Sequence, residues 1–347
     1  MNFWNFAEDE DRVRRRAQFV SGTNAPMDEA ALDELDEDAR EDMDDEVNLE
    51  AFDVPLREWL AQDRTRRAVQ KRFKSFLNSY SSADEDRTSN RRIYVDRIRS
   101  MAAQNSSSLE VSYLHLMERE VILAMWLADA PKDILDIFNE VATRVTLQWF
   151  PQYGNVTDEV HVRISHVPVS DSLRNLRKAH LGLLVKVSGV VTRRTGIFPQ
   201  LKLAMYDCVK CKFLLGPFRI MGEETRNNFA PGSCPSCDSE GPFNINAAKS
   251  SYRNYQRVTL QETPGSIPPG RVPRVKEVKL MNDLIDRARP GEEIEVTGVY
   301  QHSYDFALTQ KSGFPVFHTH IAANHILKQV CSILLFCCPG TIYKSCL

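Results

Sequence analysis

Four cysteines in two close pairs, Cys208-x2-Cys211 and Cys234-x2-Cys237, constrain this chain more than any other feature. Two paired thiolates at that separation close a tetrahedral Zn²⁺ site, and four sulfurs leave no open coordination position. A metal held this way supports a fold and does not activate water. The pattern therefore predicts a structural knuckle inside a binding module. Pro235 lies within the second pair, and Gly216-Pro217 and Gly241-Pro242 punctuate the strands that follow, as in a zinc ribbon. The alternatives are a redox pair or two disulfides. A redox site, however, uses one CxxC at a helix start and has no use for a second.

A chain of 347 residues, 42% hydrophobic and 26% charged, accommodates two or three ordinary globular domains. Its longest apolar runs, 121–127 and 332–338, fall far short of the ~20 residues a bilayer requires. No charged-then-apolar signal opens the chain, so no membrane partner is expected, and four cysteines committed to metal favour a reducing compartment. The net charge of -3 hides an asymmetry: Met27 to Asp53 carries fourteen Asp and Glu against the single cation Arg40. Residues 1–54 are therefore expected to be a disordered acidic tail. It is either a solvated segment or a docking segment for a basic partner such as a histone or a regulatory kinase.

Helical periodicity starts after Pro55, with Leu56, Trp59, Leu60, Phe73, Phe76 and Leu77 apolar and Arg64, Arg66, Arg67, Lys71, Arg72 and Lys74 on the remaining surface. Two further helices are expected, Ser108 to Ala130 (apolar at Leu109, Tyr113, Leu116, Met117, Val121 and Met125) and Pro131 to Trp149. Together they predict a helical subdomain over 55–160. From His161 the period changes to alternation. A short helix from Asp171 to Leu181 and strands at 185–191, 201–205, 257–261, 293–300 and 314–326 follow, with another short helix at Leu280 to Arg289. Gly189 inside a strand marks a sharp bend. The expected fold class is α+β, a helical subdomain followed by an oligonucleotide-binding (OB) β-barrel over 161–327. A four-cysteine zinc ribbon is inserted at about 206–245, and 328–347 form an atypical tail.

Pro264 to Lys276 is too rich in Pro and Gly for regular core structure and carries Arg271, Arg274 and Lys276. It reads either as a rigid surface hairpin with idle cations or as a finger that touches phosphates. Arg193 and Arg194, just past a barrel strand, are further phosphate candidates or a charged edge.

Several segments resemble the N-terminal region of the minichromosome maintenance family of the eukaryotic replicative helicase. They are His161-Val-Arg-Ile-Ser-His166, Val187-Ser-Gly-Val-Val-Thr192, Phe198-Pro-Gln-Leu201, Leu215-Gly-Pro-Phe218 after the first Cys pair, and Pro231-Gly-Ser-Cys-Pro235. Tyr255-Gln-Arg257, Gln261-Glu262, Pro290-Gly291 and Phe314-Pro-Val-Phe317 continue the series. The resemblance implies a nuclear, DNA-binding collar of a hetero-hexameric ring of related subunits, acting in replication initiation and elongation. It makes Pro264 to Lys276 a hairpin that presents Arg271, Arg274 and Lys276 to DNA. Replication-licensing factors and kinases are the implied partners of the acidic tail. The tail has no tyrosine before Tyr80, which tells against histones.

Family members continue into an ATPase module. Here Pro339-Gly-Thr-Ile-Tyr-Lys-Ser345 resembles part of its nucleotide loop, but the leading glycine is absent and Lys344 is displaced. No ATP site is expected within this sequence. The chain reads as a non-catalytic collar, with a truncated helicase subunit or a regulatory isoform competing for ring positions as the alternatives. Cys331, Cys337, Cys338 and Cys346 belong to the same atypical tail or to a second metal site.

Overall fold

The structure, a computed structural model, describes residues 56–60, 62–81, 92–219, 232–267, 269–304, 310, 313 and 315–329. The acidic tail, the four late cysteines and the Pro339–Ser345 segment lie outside the described residues. Two compact units emerge. One is drawn from residues up to Ser170 with Arg177–Val185 and Thr297–Gln301, the other from Asp171–Leu176, Lys186–Val296 and residues from His302 on.

The first unit is mainly helical: α1 (Leu56–Leu60), α2 (Asp63–Ser79), α3 (Ile93–Ala103), α4 (Tyr113–Arg119), α5 (Val121–Asp129) and α6 (Pro131–Trp149). Pro131 opens α6, where its missing N–H costs nothing. Ile134, Phe138, Val141, Val145 and Trp149 then recur on one buried face. Val69, Phe73, Phe76 and Leu77 of α2 are buried in the same core. The rings of Phe73 and Phe138 stack with centroids 3.8 Å apart. Arg64, Arg66, Arg67 and Lys71 of α2 are exposed; Arg66 pairs with Glu140 at 2.6 Å and Arg72 with Glu120 at 3.7 Å.

Ser108 to Ala130 is not the single helix its apolar spacing suggests. Ser108–Ser112 forms strand β1, with Leu109 and Val111 buried on either side of an exposed Glu110. Strand β1 pairs in parallel with β2 (His161–Ser165), so the β structure that opens at His161 belongs with the helices and not with the barrel. Helix α6 fastens β2 in place: Asn139 Oδ1 accepts the Val162 N–H at 2.6 Å, and Thr143 Oγ1 accepts that of Val160 at 3.0 Å. Glu120 leaves helical geometry between α4 and α5, which resets the phase of the apolar stripe. Met117, Val121 and Met125 are consequently exposed.

Largely within the second unit, β3 (Leu184–Arg194), β9 (Glu293–Tyr304), β10 (Phe317–Lys328), β8 (Val275–Met281) and β7 (Ser251–Gln261) are neighbours in that order. A β3–β7 pairing closes the circuit, which makes a five-stranded barrel of the OB kind. Val187 and Val191 of β3 and Val258 and Leu260 of β7 are buried, with more exposed residues between them, and in β8 Val278, Lys279 and Leu280 are all buried. At Gly189 the backbones of β3 and β7 leave no room for a side chain. A Cβ there would lie 2.5 Å from the carbonyl oxygen of Gln261. No α-helix forms over Asp171 to Leu181; the Asp171 N–H bonds to Lys186 O at 2.7 Å, and only a 3₁₀ turn at Lys178–His180 follows. Nor is Leu280 to Arg289 a helix. Leu280 lies in β8, the left-handed Asn282 (φ 56) opens a 3₁₀ turn at Asn282–Leu284, and the left-handed Asp286 (φ 59) stops propagation after it. The buried Gln256 secures that turn, accepting the Asp286 N–H and donating to Asp286 Oδ1, both at 3.1 Å.

Candidate metal centre and nucleic-acid interface

Strand β4 (Phe198–Cys208) runs beside β7 over its first half and then leaves the barrel, pairing on one side with β5 (Leu214–Arg219) and on the other with β6 (Phe243–Ile245). Its last residue is Cys208. The two cysteine pairs fold as matching knuckles. In the first, Cys208 O accepts the Lys212 N–H at 2.8 Å and the Cys208 N–H reaches Phe213 O at 3.0 Å; in the second, Cys234 O accepts from Asp238 at 2.9 Å and the Cys234 N–H reaches Ser239 O at 3.0 Å. Lys212 (φ 56) and Asp238 (φ 48) make the same left-handed turn after each pair. Among the described residues, the buried apolar cluster of this ribbon is Ala204, Tyr206 and Leu215, flanked by Leu201, Phe218 and Phe243. Gly216, at φ 125, lets the chain pass where a Cβ would meet Ala204 O at 2.9 Å.

The four sulfurs lie within 4.8 Å of one another, with Cys208 and Cys234 buried and Cys211 and Cys237 exposed. Sγ–Sγ separations are 3.7 Å for Cys208–Cys237 and 3.5 Å for Cys211–Cys234. A tetrahedron with metal–sulfur bonds of ~2.3 Å has edges of ~3.8 Å, so this constellation could hold a metal ion. Electrostatics agrees with the geometry. The Cys211 amide leads in holding the Cys208 thiol down to about 7. For Cys237, at the exposed rim, the Ser239 amide favours the thiolate, yet local desolvation and the neighbouring sulfurs together outweigh it and push the thiol up to about 12. A cluster in which one thiolate forms readily and another cannot form beside it is stabilised by a shared cation.

The segment expected to be a basic finger is the connection between β7 and β8. These strands pair antiparallel from Tyr255↔Met281 to Gln261↔Val275, and the Glu262 N–H bonds to Arg274 O at 3.0 Å beyond the last pair. It is a hairpin, with a 3₁₀ turn at Pro264–Ser266. Its cations differ in setting. Arg271 is exposed. Arg274 is exposed too, but its Nη1 donates to the Arg174 carbonyl at 3.3 Å. Lys276 lies inside β8, half-buried, with Nζ 2.6 Å from Thr319 Oγ1. Arg193 and Arg194 are exposed at the end of β3, and Arg194 Nη1 is 3.0 Å from Asp286 Oδ1. Two residues that the sequence pattern did not single out as site residues stand against this hairpin: Arg174 and the buried Glu262, 2.9 Å apart. The available signal was an acidic residue at a strand end, directly before a cation-bearing Pro/Gly segment.

A closed barrel with a four-cysteine ribbon hung from one strand and a hairpin on the next, encoded after a helical unit, defines a class of OB-fold proteins. Residues 70–166 match the MCM N-terminal domain and residues 172–304 the MCM OB domain. The chain belongs to the minichromosome maintenance (MCM) family. The break between the two matches falls after β2, where the strand pairing also places it. DNA replication licensing factor MCM2 of Oryza sativa subsp. indica is 44% identical over 319 residues, 91% of this chain and 32% of the relative. The Drosophila melanogaster protein of that name is 45% identical over 323 residues, 93% and 35% respectively. The minichromosome maintenance protein MCM of Saccharolobus solfataricus is 29% identical over 238 residues, 67% and 33%. The chain thus spans about a third of the length of these curated relatives.

Proposed function

We propose that this chain is the DNA-binding, ring-forming collar of a replicative helicase subunit, working in the nucleus beside other MCM subunits in a hetero-hexamer. Zn²⁺ is its resident metal, held by Cys208, Cys211, Cys234 and Cys237 in a structural role. The observation that carries the reading is the β7–β8 hairpin of an OB barrel in a chain of this family, which bears the exposed Arg271 and Arg274 beyond the paired strands and Lys276 near the start of β8. Cations on a backbone arm contact phosphates without reading bases, and a ring that travels along DNA needs contacts indifferent to sequence. Arg193 and Arg194, opposite Thr259 and Val258 further along β7, are secondary candidates for phosphate contact.

The test is a fluorescence anisotropy titration of single-stranded oligonucleotides across a salt series. Replacing Arg271, Arg274 and Lys276 together by alanine should flatten the log–log salt slope by about 2 units, since each phosphate neutralised on a single strand contributes ~0.7. Arg271→Ala alone should account for about a third of that. An unchanged slope would place the DNA contacts elsewhere.

A further inference from the structure

Helix α2 sorts its cations by face. Val69, Phe73, Phe76 and Leu77 are buried in the core, and Arg66 and Arg72 on its flanks are paired with Glu140 and Glu120. Arg64, Arg67, Lys71 and Lys74 follow one another at helical spacing. At roughly 100° and 1.5 Å per residue they fall within an arc of about 80° opposite the core, along about 15 Å of helix. The first three are exposed and Lys74 is half-buried. Among the described residues, no acid pairs with Arg64, Arg67 or Lys74. Like charges three and four residues apart repel along a helix. Arg64 and Arg67 also stand in its first turns, where the peptide dipoles favour anions, and Gln62 at the N-cap makes no side-chain hydrogen bond there. This face lacks a counter-charge.

The chain carries one itself. Residues 27–53 hold fourteen Asp and Glu against the single cation Arg40, and Asp53 is ten positions before Asp63, the first residue of α2. Where that segment joins the fold is fixed: the Trp59 ring meets Trp126 of α5 edge-on at 5.1 Å, and the Trp59 carbonyl accepts the Gln62 N–H at 3.1 Å. So short a covalent connection gives an effective concentration on the order of millimolar, which a separate nucleic-acid strand or acidic peptide would have to exceed. We propose that residues 27–53 dock on the outward face of α2 in the same molecule, with carboxylates along Arg64, Arg67, Lys71 and Lys74. The contact consists of many weak, hydrated ion pairs, and salt screens it. A basic partner of the acidic segment must displace α2 to reach it, and its arrival uncovers the cationic stripe.

Carbodiimide coupling of the zinc-loaded full chain joins lysine amines to carboxylates without a spacer, and peptide mass mapping locates the joins. Lys71 and Lys74 should couple to Asp or Glu of 27–53 within monomers, at a yield independent of protein concentration. Raising NaCl from about 0.1 M to about 1 M contracts the screening length from about 10 Å to about 3 Å and should lower that yield by about tenfold. Arg64→Glu combined with Arg67→Glu retains both lysines as reporters and should lower it by a similar factor. A second variant leaves α2 untouched. Asp42→Asn, Asp44→Asn, Asp45→Asn and Glu46→Gln together should raise the acylation of Lys71 and Lys74 by an amine-reactive reagent about threefold, as the uncovered fraction grows, while Lys132 and Lys249 stay unchanged. Coupling found only in covalent dimers, or Lys71 and Lys74 reactivity that the four-residue variant leaves unchanged, overturns docking within one molecule. Protection of those lysines by an added oligonucleotide alone would make the stripe a nucleic-acid site instead.

Discussion

At the scale of single residues, the metal site makes the firmest prediction. Each sulfur must give up a proton to bind, so metal retention should fall as the pH is lowered, and the purified protein should carry one zinc per molecule near neutrality. Elemental analysis checks this. Cys234→Ser should lower the zinc content well below one per molecule, because a three-thiolate remnant in so small an apolar cluster has little else to hold it. Equal zinc in wild type and variant would refute the assignment. The clustering of the four cysteines was legible from spacing alone, since two CxxC pairs can bring four thiols together whatever lies between them. Arg174 and Glu262 were not legible, because ion pairing across distant segments leaves no periodic trace. Lys276 shows a third case: its charge was visible, but its place within β8, bonded to Thr319, depends on where the strand begins.

At the scale of elements, the Phe73–Phe138 stack is the tightest ring contact between α2 and α6. Phe138→Ala should destabilise the helical unit by about 3–5 kcal/mol through forfeited transfer energy and the cavity left behind. Trp59, Trp126 and Trp149 all lie in that unit, so their fluorescence in urea titrations reports its midpoint directly. In the barrel, Gly189→Ala should cost about 1–3 kcal/mol, because the added carbon must push β3 away from the Gln261 carbonyl. A midpoint unchanged by either variant would mean that the packing at that position is not limiting. Helix α6 and the alternating strands were readable because burial imposes periods of 3.6 and 2 on their sequences. Strand β1 was not. Five residues are too few to separate the two periods, and its state is decided by β2, some fifty positions away, and by two polar residues of α6, Asn139 and Thr143. The left-handed Asn282 and Asp286 hid the end of β8 in a similar way, since neither residue type demands that conformation.

For the molecule as a whole, the proposed ring membership predicts that the tagged full chain co-purifies with other MCM subunits when they are expressed together. The association should drop when Cys208 and Cys234 are both changed to Ser. If the cysteine variant associates as strongly as the wild type, the ribbon takes no part in assembly; if neither associates, the collar reading fails. The order of units, helical first and barrel second, was visible in the change of period, while the boundary was displaced by the strand that opens at His161. Strand β4 has a mechanical consequence. It carries one sheet from the barrel into the ribbon: Phe198 to Leu203 is laced to β7, and Leu203 to Cys208 is laced to β5 and β6. The ribbon is therefore a cantilever on the barrel wall. A single continuous strand resists bending in the plane of its hydrogen bonds and yields by twisting, and the register shifts at Leu201/Leu203 and Ala204/Tyr206 are where that compliance is concentrated. A force applied at the cysteines reaches β7, and through it the root of the basic hairpin, as torque.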